Sequence, residues 1–190
     1  MFGFFKINED LFYKELLSDE INENRIQKYI DKGIDLNKKD EKGNTILFTL
    51  VAKRKLEAVK ILVKNGADLT IENKYGKTVL DEVVDKNDGM MVRFLLDNGY
   101  SINHKNSLGR TIFQDVAIFG NEKIFQILMN YNPDFSLKDS FGKTVLFYAI
   151  DGGNLNILKD VVNNTGNLNA LDENHQTALF HAVLKDDSAL

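Results

Sequence analysis

Four acidic side chains in the middle of the chain are the best candidates for acid–base chemistry. Asp81, Glu82 and Asp85 share one short segment, and Asp115 lies 33 residues beyond Glu82. A pair of carboxylates can act as general acid and general base when both lie in a closed, desolvated cleft that gives them different pKa values. Such an enzyme would lose its activity in the variants Asp85→Asn and Glu82→Gln. Acidic residues are also favoured in the first turn of any helix by its dipole, so we interpret this cluster as structural.

The chain has three histidines and no cysteine. His175 and His181 could approach each other across a turn and a helix, but they have no third ligand and no H-x-E or H-E-x-x-H pattern. His104 stands alone, in a segment that we expect to form a hairpin strand. The phosphate-binding motifs G-x-x-x-x-G-K-[ST] and G-x-G-x-x-G and the nucleophile motif G-x-S-x-G are absent. The sequence therefore predicts no metal, no cofactor and no enzyme activity.

The composition is that of a soluble chain with a core. Of its 190 residues, 43% are apolar and 27% are charged, which is too apolar for a disordered protein. The net charge of −4 and the pI near 5.4 argue against attraction to nucleic-acid phosphates or anionic lipids. The N-terminal sequence lacks the basic segment and apolar run of a secretory signal, and the lack of cysteine fits a reducing compartment. We expect a cytoplasmic protein that binds neither nucleic acid nor membranes.

The strongest pattern in the sequence is a repeat with a period of 33 residues. Three kinds of landmark recur in register: Thr45, Thr78, Thr111, Thr144 and Thr177; Gly43, Gly76, Gly109 and Gly142; and Leu47, Leu80, Phe113, Leu146 and Leu179. The unit is clearest in residues 40–72, DEKGNTILFTLVAKRKLEAVKILVKNGADLTIE. A constant period of this size predicts stacked supersecondary units that share one elongated core.

These landmarks resemble the ankyrin repeat, which runs D-x-x-G-x-T-P-L-H-x-A, followed by a second helix of L-L type and by G-A-D-V-N. The best copy consists of Asp40, Gly43, Thr45, Leu47, Ile61, Leu62, Gly66, Ala67 and Asp68. Two family positions differ throughout: the proline is replaced by Ile46, Val79, Ile112, Val145 and Ala178, and the histidine by Phe48, Asp81, Gln114, Phe147 and Phe180. The resemblance implies an all-α ankyrin-repeat solenoid of stacked helix-turn-helix units joined by short β-hairpin loops.

The repeat divides the chain into six units of one solenoid domain. Residues 1–39 lack the turn before the first helix and carry Arg25 and Lys28 where the next repeat is apolar, which predicts an N-terminal capping repeat. Four full repeats follow at residues 40–72, 73–105, 106–138 and 139–171. Residues 172–190 are a partial C-terminal repeat with one helix. It could act as a lid on the fourth repeat, but one helix covers only part of that face, so we expect a longer chain.

The resemblance also implies a binding surface, because ankyrin stacks hold protein partners on a concave face of hairpin tips and first helices. We number positions within a repeat from residues 40, 73, 106, 139 and 172. Position 3 holds Lys42, Tyr75, Leu108, Phe141 and Asn174, whose three middle members would form an apolar ridge. Position 5 holds Asn44, Lys77, Arg110, Lys143 and Gln176, whose cations would form a basic ridge. Ile118 and Phe119 would face the same groove.

The predicted function is a non-enzymatic protein–protein interaction module or scaffold, expected to be a monomer. The predicted contact residues are Tyr75, Lys77, Leu108, Arg110, Ile118, Phe119, Phe141 and Lys143. They suit a partner with an apolar anchor amid carboxylates. Cations before the repeat threonine are common in the family, so a purely structural origin of both ridges is one alternative. The others are an inhibitor or immunity-type protein that blocks a partner's active site, and a regulatory or targeting segment of a longer enzyme.

Overall fold

The fold is all-α. The computed structural model describes residues 9–187, except for the side chains of residues 186 and 187. The helices of this part are α1 Glu9–Leu17, α2 Glu23–Asp31, α3 Ile46–Ala52, α4 Leu56–Lys64, α5 Val79–Asp85, α6 Gly89–Asp97, α7 Ile112–Phe119, α8 Glu122–Met129, α9 Val145–Gly152, α10 Leu155–Asn164 and α11 Ala178–Asp187. Residues 1–8 of the predicted cap and residues 188–190 of the partial repeat lie outside the described residues. The predicted continuation beyond Leu190 lies outside them as well.

The chain forms two compact units, residues 1–86 and residues 87–190, so the first contains α1 to α5 and the second α6 to α11. The organisation of the repeats into one domain stays a prediction. In the first unit, α3 packs against α1, α4 and α5, and α1 packs against α2. Its core is formed by apolar side chains such as Phe12, Ile26, Leu50 and Leu62, which have no exposed surface. Arg25 and Lys28 are exposed, as the cap prediction requires.

The second unit repeats one packing scheme. The first helices α7, α9 and α11 lie side by side, with α9 in contact with both others. The second helices α8 and α10 pack on the first helices of their own repeats, α7 and α9. The second helices also contact one another in sequence, because α8 lies between α6 and α10. The core contains the large buried side chains Phe113, Phe125 and Phe147.

Local chemistry sets where the helices begin and end. Thr78 and Thr111 form capping boxes with Asp81 and Gln114, so the residues that replace the family's histidine close the first turn in both repeats. The second helices begin after Asp88, Asn121 and Asn154, whose side chains accept hydrogen bonds from the first-turn N–H groups. The second helices are followed by residues with a left-handed backbone at Gly66, Gly99 and Asn132, with φ of 86°, 101° and 52°.

The β-hairpin loops are present as tight turns. In each repeat, the backbone N–H at position 1 donates to the carbonyl oxygen at position 5, as Asp139 does to Lys143 at 3.0 Å. Among the described residues, β-pairing is limited to isolated bridges between Lys105 and Thr111 and between Leu171 and Thr177. We call the segments from position 1 to position 5 the tips. No helix in residues 9–187 is long and apolar enough to cross a membrane.

Candidate protein-binding surface

The first residue of every tip holds the tip in shape with its own side chain. Position 1 is Asp or Asn in all repeats, and its Oδ1 accepts hydrogen bonds from the backbone N–H groups at positions 3 and 5. These bonds are 2.8–3.2 Å long in the tips that begin at Asp40, Asn73, Asn106, Asp139 and Asp172. This side-chain turn fixes the backbone that carries both predicted ridges.

Neighbouring tips within each unit are joined by hydrogen bonds. In the second unit, the carbonyl oxygen of Leu108 accepts from both the N–H and the hydroxyl of Ser140, at 3.3 and 2.8 Å, and the carbonyl oxygen of Phe141 accepts from the N–H of Glu173 at 3.0 Å. In the first unit, Lys74 donates in the same way to Lys42 at 3.0 Å. Leu108 and Phe141 therefore lie on adjacent tips that are joined directly by hydrogen bonds.

The apolar side chains at position 3 point into solvent. Tyr75 in the first unit is 74% exposed, and Leu108 and Phe141 in the second are 52% and 59% exposed. Phe119, the last residue of α7, is 76% exposed. Their predicted exposure is confirmed, whereas their role in binding is a proposal. Exposure of large apolar side chains to water is unfavourable, so covering them with another molecule would lower the free energy.

The end of α7 is held against α9. Gly152 packs so tightly there that a Cβ atom on it would lie 2.5 Å from the carbonyl oxygen of Ala117 and 2.7 Å from that of Ile118. Ile118 is half-buried, so it contributes less surface than predicted, while Phe119 remains exposed. The backbone of Phe119 is held by this contact. The protein therefore loses little backbone conformational entropy there when a partner covers the ring.

The basic ridge is already neutralised inside the protein. Lys77 pairs with Asp85 at 2.5 Å, Arg110 with Asp115 at 3.0 Å and Lys143 with Asp151 at 3.9 Å. The hydrogen bond that Lys77 donates to the Asp85 carboxylate is the main cause of the raised pKa of Lys77. Each cation thus has a carboxylate from the first helix of its own repeat. The surface offers a partner alternating charges beside apolar side chains, and its net positive charge is smaller than the sequence suggests.

A second set of contacts supports Arg110 and the tip of Phe141. The guanidinium of Arg110 lies 5.9 Å from the centre of the Tyr148 ring, within cation–π range. The Tyr148 hydroxyl donates to Oδ2 of Asp139, the carboxylate whose other oxygen holds the tip. Burial, followed by this hydrogen bond, raises the pKa of Tyr148. The hydroxyl therefore stays protonated and continues to anchor Asp139 in alkaline solution.

The first unit has an open groove beside Tyr75. Its volume is about 540 Å³, and its lining includes Lys42, Phe48, Thr49, Tyr75 and Lys77. The groove therefore combines one exposed aromatic ring with charged and polar side chains. Aromatic side chains are enriched in protein–protein interfaces, and polar side chains form their rims.

The acidic cluster has structural roles. Asp81 closes a capping box, Glu82 lies 3.8 Å from Lys86, and Asp85 and Asp115 pair with cations of the tips. Each acidic residue of the cluster therefore has a partner within the fold. In the described part of the chain, no three histidine or acidic residues are placed to hold a metal ion.

Sequence reasoning missed the partners of Asp139, Asp172 and Asp160. His181 pairs through Nε2 with Oδ2 of Asp172 at 2.9 Å, as Tyr148 does with Asp139 one repeat earlier. A signal was available, because position 10 is Tyr or His after Asp139 and Asp172 but acidic in the two repeats that begin with Asn. Asp160 accepts a 2.5 Å hydrogen bond from Gln126 of the preceding second helix.

The comparisons with known proteins agree with this geometry. A family model described as ankyrin repeats, in three copies, matches residues 17–106 and 109–189. A search of curated proteins finds no match to the chain. The two matched ranges include every second helix described above and every tip, apart from residues 107 and 108 of the third repeat.

Proposed function

Because this chain belongs to the ankyrin-repeat family, whose repeats are in general non-enzymatic protein-interaction modules, we propose that it binds a protein partner through its tips and the end of α7. The proposed contact residues of the second unit are Leu108, Phe119 and Phe141, to which the partner would present an apolar anchor. Tyr75 is the proposed contact residue of the first unit. The partner's carboxylates and cations would meet the paired charges at position 5.

One observation carries the proposal: the same repeat position bears a large apolar side chain, more than half exposed, on the adjacent tips of Leu108 and Phe141. The core does not use these side chains, yet Asp139 and Asn106 hold the backbone beneath them. Aromatic residues on a rigid support are the usual centres of binding energy in protein interfaces. The cations at position 5 already have carboxylate partners within the protein. They would therefore set the orientation of the bound partner more than they would strengthen its binding.

The test is a pull-down from lysate of the source cell with tagged protein, followed by identification of the captured protein and titration with that protein in pure form. The double variant Phe119→Ala/Phe141→Ala should weaken binding about 30-fold or more, which is the effect of losing about 2 kcal/mol at a contact centre. Met90→Ala is the matched control, because this residue is 70% exposed and belongs neither to a tip nor to α7. Neither variant should change the melting temperature by more than a few degrees.

Equal binding by the wild type and the Phe119→Ala/Phe141→Ala variant would show that another face is used. A large loss of stability in that variant would show that the two rings are part of the core.

A further inference from the structure

A small pocket in the first unit lies between α1 and α2, in the predicted N-terminal cap. Its volume is about 340 Å³, which is within the range of small-molecule sites. Among the described residues, its lining consists of Glu15 of α1, Arg25, Lys28 and Tyr29 of α2, and Lys32, which directly follows α2. Cations outnumber carboxylates in this lining. The charge at the pocket is therefore positive, although the chain as a whole has a net charge of −4.

The three cations lie along one side of the second helix of the cap. Arg25, Lys28 and Lys32 are spaced i, i+3 and i+7, so the rise of the helix spreads them over about 10 Å. Like charges at this spacing repel each other and destabilise a helix. An anion bound between them would replace this repulsion with attraction.

Two of the three cations have no carboxylate partner in the described part of the chain. Arg25 donates from Nη1 to Oε1 of Glu15 at 3.1 Å, and its side chain is still 65% exposed. No ion pair among the described residues includes Lys28 or Lys32, and both residues are exposed. The ammonium groups are therefore available to a ligand.

The acidic residue at the end of α2 does not neutralise these lysines. Asp31 lies three residues after Lys28, but its Oδ1 accepts a hydrogen bond from Nε2 of Gln27 at 2.8 Å. The same Nε2 atom donates to Oδ1 of Asn65, the residue that follows α4, at 3.3 Å. Asp31 is thus drawn towards the side of α2 that faces the end of α4, away from the pocket.

One wall of the pocket is held in place by the core. The ring of Tyr29 lies 5.6 Å from that of Phe12, centre to centre, and Phe12 has no exposed surface. Tyr29 is itself half-buried. A tyrosine hydroxyl can donate a hydrogen bond to an anion. The pocket therefore combines three cationic donors with one neutral donor on a packed support.

We propose that this pocket binds a phosphate group in the form of a phosphate monoester dianion. The phosphate oxygens can accept from both lysine ammonium groups and from the guanidinium N–H groups that Arg25 does not give to Glu15. A carboxylate has only one charge and two oxygens, so it matches this set of donors less well. Residues 1–8 contain no acidic side chain, so that segment cannot supply the anion.

A cap needs a polar outer face, but neutral or acidic residues would provide one equally well. The dipole of α2 also favours cations near its C-terminus, and this effect needs no ligand. The experiment therefore includes a variant that removes cations from equivalent helix positions elsewhere in the same unit.

The experiment uses the 190-residue chain labelled with ¹⁵N and titrated with inorganic phosphate at about pH 7.5, where phosphate is mainly a dianion. Sodium chloride at equal ionic strength is the reference, because general screening affects both salts alike. Amide signals of α1 and α2 should shift with phosphate and not with chloride. Lys28→Gln/Lys32→Gln should raise the dissociation constant about tenfold or more, whereas Lys28→Arg/Lys32→Arg should keep it within about threefold of the wild type.

The matched control is Lys53→Gln/Lys64→Gln, which removes the same amount of charge. Lys53 directly follows α3 as Lys32 follows α2, and Lys64 lies in the last turn of α4 as Lys28 does in that of α2. Both control residues are exposed, and neither lines the pocket. This variant should bind phosphate as tightly as the wild type does, because the proposal depends on the charge at the pocket.

A second titration distinguishes two sources of the phosphate group. Its probe is a capped tetrapeptide with one phosphoserine and no other charged side chain. Tighter binding of this peptide than of inorganic phosphate would assign the pocket to a phosphorylated segment of a partner protein. Equal or weaker binding would assign it to small phosphate compounds.

Three results would overturn the proposal. They are no shifts at millimolar phosphate, equal shifts with phosphate and chloride, and an equal loss of binding in Lys28→Gln/Lys32→Gln and the matched control. The first two use only the wild-type protein, so they hold even if a variant folds poorly.

Discussion

Replacing Gly142 by alanine should test the contact between adjacent tips. Gly142 has a φ of 73°, and a Cβ atom there would lie 2.8 Å from the backbone N of Glu173 and 3.1 Å from the backbone C of Asp172. Backbone atoms in a hydrogen-bonded tip cannot rotate away, so one of the two tips has to move. Gly99 is the matched control, because its φ is 101° but a Cβ atom there would meet nothing within 4 Å.

The two substitutions share one cost and differ in the other. Alanine with a left-handed backbone costs about 1 to 2 kcal/mol at either site. The overpacking at Gly142 adds about 1 to 3 kcal/mol, so Gly142→Ala should lower the free energy of unfolding by about 2 to 5 kcal/mol and Gly99→Ala by about 1 to 2. The difference between the variants reports the close approach of the tips alone.

Urea unfolding followed by circular dichroism at 222 nm would measure both values. Partner binding should also weaken in Gly142→Ala, because Phe141 lies next to the displaced backbone. Equal losses of stability in the two variants would refute the reasoning, since they would show that the tips separate at no cost.

Three further expectations concern the core and the two anchored carboxylates. Leu128→Ala should lower the free energy of unfolding by about 2 to 5 kcal/mol, against less than about 0.5 for Met90→Ala, because the first side chain is fully buried and the second is 70% exposed; urea unfolding measures both. Burial and its carboxylate partner raise the pKa of Tyr148, so the folded protein keeps a proton that the unfolded chain loses, and stability should fall above pH 10 more steeply in the wild type than in Tyr148→Phe. The pKa of Asp172 is lowered mainly by the backbone N–H of Gln176, so stability present above the ordinary carboxyl value should be lost below about pH 3.9, and Asp172→Asn should flatten this acid limb.

Much of the architecture follows from local sequence. Thr45 and its equivalents come directly before each first helix, and Gly66 and Gly99 lie where second helices end. These features depend on residues a few positions apart, so a repeating sequence specifies them in every copy. The exposure of Leu108, Phe119 and Phe141 was predictable for the same reason, because repeat register determines which positions point outward.

The electrostatics of the surface were not predictable in this way. The sequence predicts a basic ridge of Lys77, Arg110 and Lys143. In the structure, each of these cations lies near a carboxylate. The pairing depends on the angle at which a first helix leaves its tip, and on which rotamer a long side chain adopts. Neither quantity is encoded in spacing along the chain.

The sequence by itself determined the family, the all-α repeat, the helix boundaries and the side chains left outside the core. The reason is that each 33-residue repeat contains the same local sequence signals. The tertiary structure alone decided that Tyr148 anchors Asp139, that Gln126 pairs with Asp160 and that Leu155 and Leu179 are exposed. The first contact joins a tip to the first helix of its own repeat, and the second joins α8 to α10. Such contacts depend on how the helices pack, as α10 does on α8 and α9, which is a property of the folded chain.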